Sequence, residues 1–515
     1  MFRPLKKIEK AVRKDYETAI FSKFELGKYV GHEQVGNILN TSFSFYEQLL
    51  HKHLTEGASI DMLADVLGEY DYYYELSVRY KSGQLSSEEE SFWEEYGKNS
   101  KRAIKYLSEQ IVNYLPNQTK NNLDHRECLS YCLIAAEEMV SSYMSSDCSY
   151  SLSPDDCTLE VKDKTNYNFL HFKCDSVSNI IDSLNMNQYF SKRDIYLSQK
   201  EVTLPMEHSY QAEILDDIFK QSFNLTYSQS IGVINGLINI CKQSSDGVRY
   251  SWFNKENMIS ALAEDLSELN VTKEQIATII SGFTLSSSNL SQRKIFSPKQ
   301  EYRALKRAFF EVNTDEGIIV LFSQTMAIES LTQLMLSACF RQFPTEWIEF
   351  NKGMSKKLDQ LSNSTGKWFE DILAGEYESR GINYAQSLKK IKLNGKNINT
   401  PGGVGEIDFL AVVGNELHIV ECKFVQFASE PRLYLDDKSK FTKGDKSYSA
   451  KFMRKVNWVN ENVDAIKEHL NNLGIRTNEI KSTRAIMVTF FPTIAKGLIK
   501  EYDCVDFTEY FEHSL

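Results

Sequence analysis

The chain lacks the features of a membrane protein and those of a disulfide-stabilised one. A membrane helix requires about 18 to 20 consecutive apolar residues, and the best candidate stretch, Gly317 to Phe340, is interrupted by Gln324, Glu329 and Gln333. The N-terminus is charged and has no apolar signal segment. Nine cysteines, an odd number without a Cys-x-x-Cys pair, argue against a disulfide framework and a zinc site. We therefore expect a cytoplasmic protein that does not associate with membranes.

An overall excess of basic residues is also missing, since the formal net charge is −11. The acidic surplus is confined to the first 350 residues, which hold 35 Lys and Arg against 48 Asp and Glu. From Asn351 to Leu515 the counts are 24 against 22, and between Lys423 and Lys455 they are 9 against 4. Phosphate contacts depend on local surface charge. The C-terminal part is therefore where we expect a polyanion to bind.

A chain of 515 residues is too long for one ordinary core and predicts several domains. The expected fold class is multidomain α+β, with a mostly helical N-terminal region that contains a small β insertion. The predicted divisions are a helical domain at 1–155, a mixed, mainly helical region at 156–350, a linker at 351–365 and a C-terminal domain at 366–515. The linker is predicted from its polar, Lys-, Ser- and Asn-rich composition.

The first 350 residues show helix and strand signals but no motif that identifies an activity. Capping boxes are predicted from Ser87 to Glu90 and from Thr272 to Gln275. The β-patterned runs at 158–161 and 169–172 predict a hairpin. Residues 212–340 are predicted to be helical, except for a short apolar run at 317–322 that is typical of a buried strand.

The C-terminal region has a clearer order of elements, which we predict as αβββαβ. The predicted elements are a helix at 367–379, strands at 384–393, 406–413 and 416–424, a long basic loop, a helix at 448–473, a strand at 485–491 and a short terminal helix. Several of these strands would share one mixed sheet.

Gly414 and Asn415 lie between two of the β-patterned runs and predict a two-residue hairpin turn. In that register Asp408 lies opposite Glu421, and Glu406 lies opposite Lys423. Because side chains alternate along a strand, all four then point from the same side of the sheet.

This placement is electrostatically unusual. Directly opposed residues on paired strands have Cβ atoms about 4.5 to 5.5 Å apart, and like charges there repel. Asp408 and Glu421 would also lie at the end of an apolar strip, where an unpaired carboxylate costs several kcal/mol. A divalent cation resolves both problems, and Mg²⁺ commonly takes one or two carboxylates together with water and a phosphate. Lys423, on the same face, could orient a water or offset transition-state charge.

Asp408 followed by Glu421-Cys422-Lys423 resembles the D…E-x-K signature of the PD-(D/E)xK, or restriction-endonuclease-like, nucleases. The resemblance covers roughly residues 360 to 515 and extends to the predicted αβββαβ order. It implies a C-terminal α/β nuclease domain that hydrolyses phosphodiester bonds with Mg²⁺ or Mn²⁺.

The resemblance also implies roles for individual residues. Asp408 and Glu421 would bind the metal with the backbone carbonyl of Cys422, and Lys423 would assist the attacking water. Glu370 matches a glutamate on the first helix that often completes the catalytic and metal site. The helix after the third strand often supplies a further polar or basic residue, for which Lys451 and Lys455 are the candidates.

By the same resemblance DNA is the expected substrate, and a long helical region fused to such a nuclease resembles bacterial restriction and anti-phage defence effectors. That region would sense, regulate or oligomerise, so the expected assembly is a homo-oligomer or a complex with other defence proteins. Two alternatives remain open at this point. One is a catalytically inactive nuclease fold that binds nucleic acid or acts as a scaffold, and the other is an RNA nuclease.

Overall fold

The computed structural model of the chain describes residues 3–117, 124–151, 154–163, 169–174, 204–240, 250–290, 301–393, 396–426, 428 and 431–513. The chain divides into two compact units, the first of which ends at Leu361 and the second of which continues from Ser362. Both units combine helices with sheets, which agrees with the expected mixture of α and β structure. Among the described residues, no helix has the length and apolar content of a membrane span.

Helices make up most of the first unit. Their bounds are α1 Lys6–Phe21, α2 His32–Gly57, α3 Ile60–Lys81, α4 Ser87–Tyr114, α5 His125–Ser151, α6 His208–Phe223, α7 Tyr227–Ile240, α8 Lys255–Asp265, α9 Lys273–Ser281, α10 Ser287–Leu290, α11 Gln324–Ser337 and α12 Thr345–Phe350.

Two small sheets accompany these helices. The strands are β1 Gly27–Val30, β2 Thr158–Val161, β3 Leu170–Lys173, β4 Ser251–Asn254, β5 Thr284–Leu285, β6 Phe309–Thr314 and β7 Gly317–Phe322. β2 and β3 pair antiparallel, which confirms the predicted hairpin, and β1 adds a third strand on the other side of β2. The remaining strands form a four-stranded sheet in the order β4-β7-β6-β5.

Two helix starts can be compared directly with the sequence pattern. The capping box at the start of α9 is confirmed, because Thr272 and Gln275 exchange side-chain and backbone hydrogen bonds. The box at the start of α4 is formed by Ser86 and Glu89, one residue earlier than predicted. Ser86 is the last residue with extended backbone, so its side chain is the one that reaches the unpaired N–H groups of the first turn.

The prediction of continuous helix around 309–314 is wrong, whereas the predicted strand at 317–322 is confirmed. Phe309–Thr314 is a strand that pairs antiparallel with Gly317–Phe322. Its residues are largely aromatic or β-branched, and Phe309, Phe310 and Val312 are buried. Such residues favour strands where a partner strand is available, and here the partner follows after a short turn.

The segment predicted as a linker is helical. Residues 353–365 are the first half of a 27-residue helix, α13, Gly353–Ser379. Met354, Leu358 and Leu361 recur at helical spacing and are buried. The polar residues between them lie on other faces of the helix. The linker prediction used the overall composition of the segment and therefore missed the apolar stripe.

The second unit continues from α13 with strands and helices in alternation. Their bounds are β8 Asn383–Leu388, β9 Lys390–Leu393, β10 Lys396–Asn399, β11 Ile407–Val413, β12 Glu416–Lys423, α14 Pro431–Thr442, α15 Tyr448–Glu461, α16 Val463–Asn472, β13 Ser482–Thr489, α17 Ala495–Leu498, β14 Asp503–Asp506 and α18 Phe507–His513.

Its main sheet is mixed, as predicted, and has five strands in the order β14-β13-β12-β11-β8. β8, β11 and β12 pair antiparallel, whereas β12, β13 and β14 run parallel. The sheet therefore has one end at which the first residues of β11 lie beside the last residues of β12, β13 and β14. The candidate residues of the hairpin lie at that end.

Three predicted elements of this unit differ in detail. The strand predicted at 384–393 is divided at Lys389 into β8 and β9, two residues after Ser387, which has a left-handed backbone (φ 57°). The long basic loop contains α14, and the helix predicted at 448–473 is two helices that meet at Asn462. β13 begins at Ser482 rather than at 485, because it follows β12 along the full ladder from Glu416 to Lys423.

A close contact in the first unit depends on the absence of a side chain at Gly282. The Trp347 indole N–H donates to the carbonyl oxygens of Thr278 and Ile279 at the end of α9, at 3.2 and 3.3 Å. A methyl group at Gly282 would lie 2.6 Å from Cε2 and 2.8 Å from Cδ1 of this fully buried ring. A larger residue at 282 therefore has no space unless Trp347 moves.

We predict that Gly282→Ala destabilises the protein by about 1–3 kcal/mol through overpacking against Trp347. Gly232→Ala is the matched control, because Gly232 is an exposed position on α7 with no atom within 4 Å of the added methyl group. Alanine there should be neutral or stabilising by up to about 1 kcal/mol. The measurement is the thermal unfolding midpoint of both variants, and equal midpoints would contradict the packing described here.

Candidate active site

The β11–β12 hairpin has the predicted register. Leu410 pairs with Ile419 and Val413 pairs with Glu416, and the turn residue Gly414 has the left-handed φ of 57° that a tight hairpin turn requires. Continuing the same register to the open end of the hairpin places Asp408 across from Glu421. The face they share is apolar further along, where Leu410 and Ile419 are fully buried.

Both carboxylates are brought to one ammonium group, which belongs to Lys455. Its Nζ lies 3.1 Å from Oδ1 of Asp408 and also donates to Oε2 of Glu421. Asp408 is 8% exposed, Glu421 is 3% exposed and Lys455 is 8% exposed. This is a buried arrangement in which one cation bridges two anions.

Lys423 supplies a second cation at the same place. Its Nζ lies 2.6 Å from Oε1 of Glu421 and 3.0 Å from the carbonyl oxygen of Cys422. The backbone N–H of Cys422 donates to Oδ2 of Asp408 at 2.9 Å. All four carboxylate oxygens thus accept a hydrogen bond. We call Asp408, Glu421, Lys423 and Lys455 the charged quartet.

Local sequence explains how Lys455 reaches this position. It lies on α15 between Phe452, Val456 and Val459, all of which are buried against the second unit's core. A lysine within the apolar stripe of a helix is directed at the core and needs an anionic partner there. Lys451, one turn earlier on the same helix, is exposed to solvent. The helix thus directs only one of the two candidate lysines to the carboxylates.

The electrostatics of the two acids differ. Burial raises the pKa of Asp408 to about 6, with the charge of Glu421 acting in the same direction and the two lysines opposing it. Burial also disfavours ionisation of Glu421, but the charges of Lys423 and Lys455 outweigh it and hold the pKa of Glu421 below its ordinary value. The same acids outweigh burial at Lys423 and raise its pKa to about 12. Glu421 is therefore the more strongly ionised acid.

Glu406 and Glu370 are not part of this cluster. Glu406, expected on the same face, forms an ion pair with Lys389 at 3.0 Å. Glu370 is half-buried on α13 and pairs with Lys367 at 3.3 Å, and no described hydrogen bond joins it to Asp408 or Glu421. Within the described ranges, no group of three or more His, Cys, Asp or Glu side chains is arranged to hold a metal ion.

Cys422 contributes its backbone to the site rather than its side chain. The thiol is buried on the other face of the sheet, where burial raises its pKa well above the ordinary value. Its carbonyl oxygen and N–H, by contrast, contact Lys423 and Asp408. The geometry is therefore compatible with the predicted use of the Cys422 carbonyl.

Comparison of the chain with models of known protein families, with curated proteins and with solved structures finds no match.

A second buried acid in this unit provides a contrast with the quartet. Asp437 on α14 is 3% exposed, and its Oδ2 accepts a hydrogen bond from the Thr493 hydroxyl at 3.0 Å. Burial raises its pKa to about 6, although the hydroxyl opposes the shift. In the described part of the chain, no ammonium group bridges Asp437 to a second acid as Lys455 bridges Asp408 and Glu421.

We predict a pH-dependent stabilisation by Asp437→Asn. Because the pKa of Asp437 is higher in the folded chain than in the unfolded one, its contribution to stability falls as the pH rises from about 4 to above 6. The amide removes this penalty, so the variant should be more stable by roughly 1–3 kcal/mol at pH 8 and should gain little at pH 4.5. The measurement is the unfolding midpoint at both pH values. Asp445→Asn, at an exposed carboxyl of the same unit, is the control. An equal gain in stability of Asp437→Asn at both pH values would contradict the raised pKa of Asp437.

Proposed function

We propose that the second unit is a metal-dependent nuclease that hydrolyses phosphodiester bonds in DNA, in the manner of the PD-(D/E)xK enzymes that it resembles. One observation carries the proposal. Two buried carboxylates from adjacent antiparallel strands, Asp408 and Glu421, share a single cation at the edge of a sheet, with Lys423 beside them. Acids placed in this way require a positive partner between them.

The order of elements is compatible with the αβββαβ order that the resemblance implies. α13 precedes the antiparallel strands β8, β11 and β12, and α15 lies in the chain between β12 and the parallel strand β13. The additions to that order are the helices α14, α16 and α17, the strands β9 and β10, and the edge strand β14. This agreement supports the proposal, which otherwise depends on the chemistry of the quartet.

The donor atoms suit a hard divalent cation. Asp408 Oδ1, Glu421 Oε2 and the Cys422 carbonyl are oxygens, and oxygen ligands are those that Mg²⁺ and Mn²⁺ prefer. The position between the two carboxylates already accommodates a cationic group, the Lys455 ammonium. When bound, such an ion would polarise the phosphate and lower the pKa of a coordinated water.

Lys423 has a definite protonation state in this scheme. The neighbouring acids raise the pKa of Lys423 to about 12, so it is a cation at neutral pH. Its ammonium would orient the attacking water and offset the negative charge that develops on the phosphate. Its partly exposed side chain, 24% accessible, lies where the site opens to solvent. The leaving 3′ oxygen would take its proton from solvent.

The choice of a nucleic acid as substrate follows from the charge near the site. From the last turn of α14 to the first turn of α15 the chain carries four exposed lysines, Lys440, Lys443, Lys446 and Lys451. Exposed lysines contact phosphates without reading sequence and make binding sensitive to salt. The helical first unit would sense, regulate or oligomerise, and the combination resembles restriction and anti-phage defence effectors only by analogy of architecture.

A second candidate function is a catalytically silent module that binds nucleic acid or acts as a scaffold. The quartet itself favours this alternative, because two acids and two ammonium groups balance without any metal. In that case the lysines would be structural partners of the acids. Cleavage assays separate the two functions, and parallel DNA and RNA substrates separate a DNA nuclease from an RNA nuclease.

We predict that the purified protein nicks or cuts DNA with Mg²⁺ or Mn²⁺ and not in EDTA. Asp408→Asn and Lys423→Met should each reduce the rate by roughly 10²-fold or more, since each removes a charged group at the reacting phosphate. The measurement is single-turnover cleavage of supercoiled, linear and single-stranded substrates. Lys443→Met, at an exposed position, is the control and should affect only substrate affinity. Wild-type rates in either quartet variant, with folding verified by circular dichroism, would contradict the proposed roles.

We predict that Glu370→Gln cleaves at the wild-type rate. Glu370 pairs with Lys367 on its own helix and does not touch the carboxylates in the described structure. Lys367→Met tests whether this ion pair matters for stability alone. A loss of activity in Glu370→Gln comparable to that in Asp408→Asn would instead show that Glu370 joins the metal site, as its position in the resemblance implies.

A further inference from the structure

We propose that Lys455 is a built-in counter-ion that occupies the metal position, so that a divalent ion enters the site only by displacing the Lys455 ammonium from Asp408 and Glu421. This inference rests on the proposed function, because it concerns the same carboxylate pair. It assigns to Lys455 a role distinct from that of Lys423, which contacts only one of the two acids by its side chain.

The geometry is the first support. Lys455 Nζ contacts one oxygen of each acid, and these two oxygens are those that a bridging cation would use. The remaining oxygens are engaged elsewhere, Oδ2 of Asp408 by the Cys422 N–H and Oε1 of Glu421 by Lys423. A metal ion and the Lys455 ammonium would therefore compete for the same pair of atoms.

The electrostatics are the second support. All three groups are at most 8% exposed, so their charges are poorly screened by water. The two acids are already neutralised by two ammonium groups. Adding a divalent ion while Lys455 remains in place would leave a buried surplus of positive charge, which is unfavourable. Metal binding must therefore include the cost of moving the ammonium away.

The third support is the flexibility of the Lys455 side chain. Its stem is a flexible four-carbon chain, and long lysine side chains readily move their charged end towards water. Lys451 lies one turn earlier on α15 and is exposed, so solvent borders this part of the helix.

The test measures metal binding rather than catalysis. Mn²⁺ is titrated into the metal-free full chain at pH 8 without nucleic acid, and free Mn²⁺ is followed by electron paramagnetic resonance. Lys455→Met keeps the apolar stem and removes the charge, so it should bind Mn²⁺ roughly tenfold more tightly than the wild type, or better. Lys451→Met, at the exposed neighbouring position, should bind with wild-type affinity.

A thermal measurement on the same samples provides a second readout. Without metal, Lys455→Met leaves two buried acids with one ammonium group, so its unfolding midpoint should be below that of the wild type. Mn²⁺ should then raise the midpoint of this variant more than it raises that of the wild type. If Lys455→Met does not fold, Lys455→Gln replaces it, because its amide retains an N–H donor for the carboxylates. We expect the same tighter Mn²⁺ binding and the same larger increase in midpoint from this variant.

The outcomes separate this inference from the proposed function. Equal Mn²⁺ affinity in the wild type and the Lys455 variants would overturn the inference and leave the nuclease proposal intact. Weaker binding in those variants would also overturn it, because Lys455 would then support the metal site. No binding to any of the proteins would overturn both.

Discussion

The second unit is organised around a single electrostatic requirement, which is that two carboxylates buried at the rim of a sheet need positive charge between them. Asp408 and Glu421 satisfy it by sharing the Lys455 ammonium, with Lys423 closing the other side of Glu421. Leaving either acid unpaired in this environment would cost several kcal/mol. The mixed sheet, the hairpin register and the orientation of α15 all serve to bring these four charges together.

The topology makes this possible because antiparallel and parallel strands meet in one sheet. β11 enters the sheet at the edge where β12 leaves it, so residues 13 positions apart in sequence become neighbours. The parallel pairing of β12 with β13 requires a crossover, and α15 lies within that connection. The helix that supplies Lys455 is thus a consequence of the strand order.

The balance of two acids and two ammonium groups also connects the two candidate functions. A charge-neutral cluster needs no metal to be stable, and under our proposal it would become a metal site when one ammonium moves aside. Burial raises the pKa of Asp437, whose described hydrogen-bond partner is the Thr493 hydroxyl, to about 6, and it raises the pKa of Asp408 to about 6 as well. The quartet keeps Glu421 ionised, which a metal ligand requires.

The sequence alone determined the features that depend on neighbouring residues. The register of the β11–β12 hairpin followed from side-chain alternation and a two-residue turn, and the proximity of Asp408 and Glu421 followed from that register. The strand at 309–314 and the helix at 353–365 were misjudged, since an available partner strand and a buried apolar stripe override local composition. Only the tertiary structure decided that Lys455 rather than Lys451 reaches the acids and that Glu370 pairs with Lys367, because both depend on how a helix is turned against the sheet.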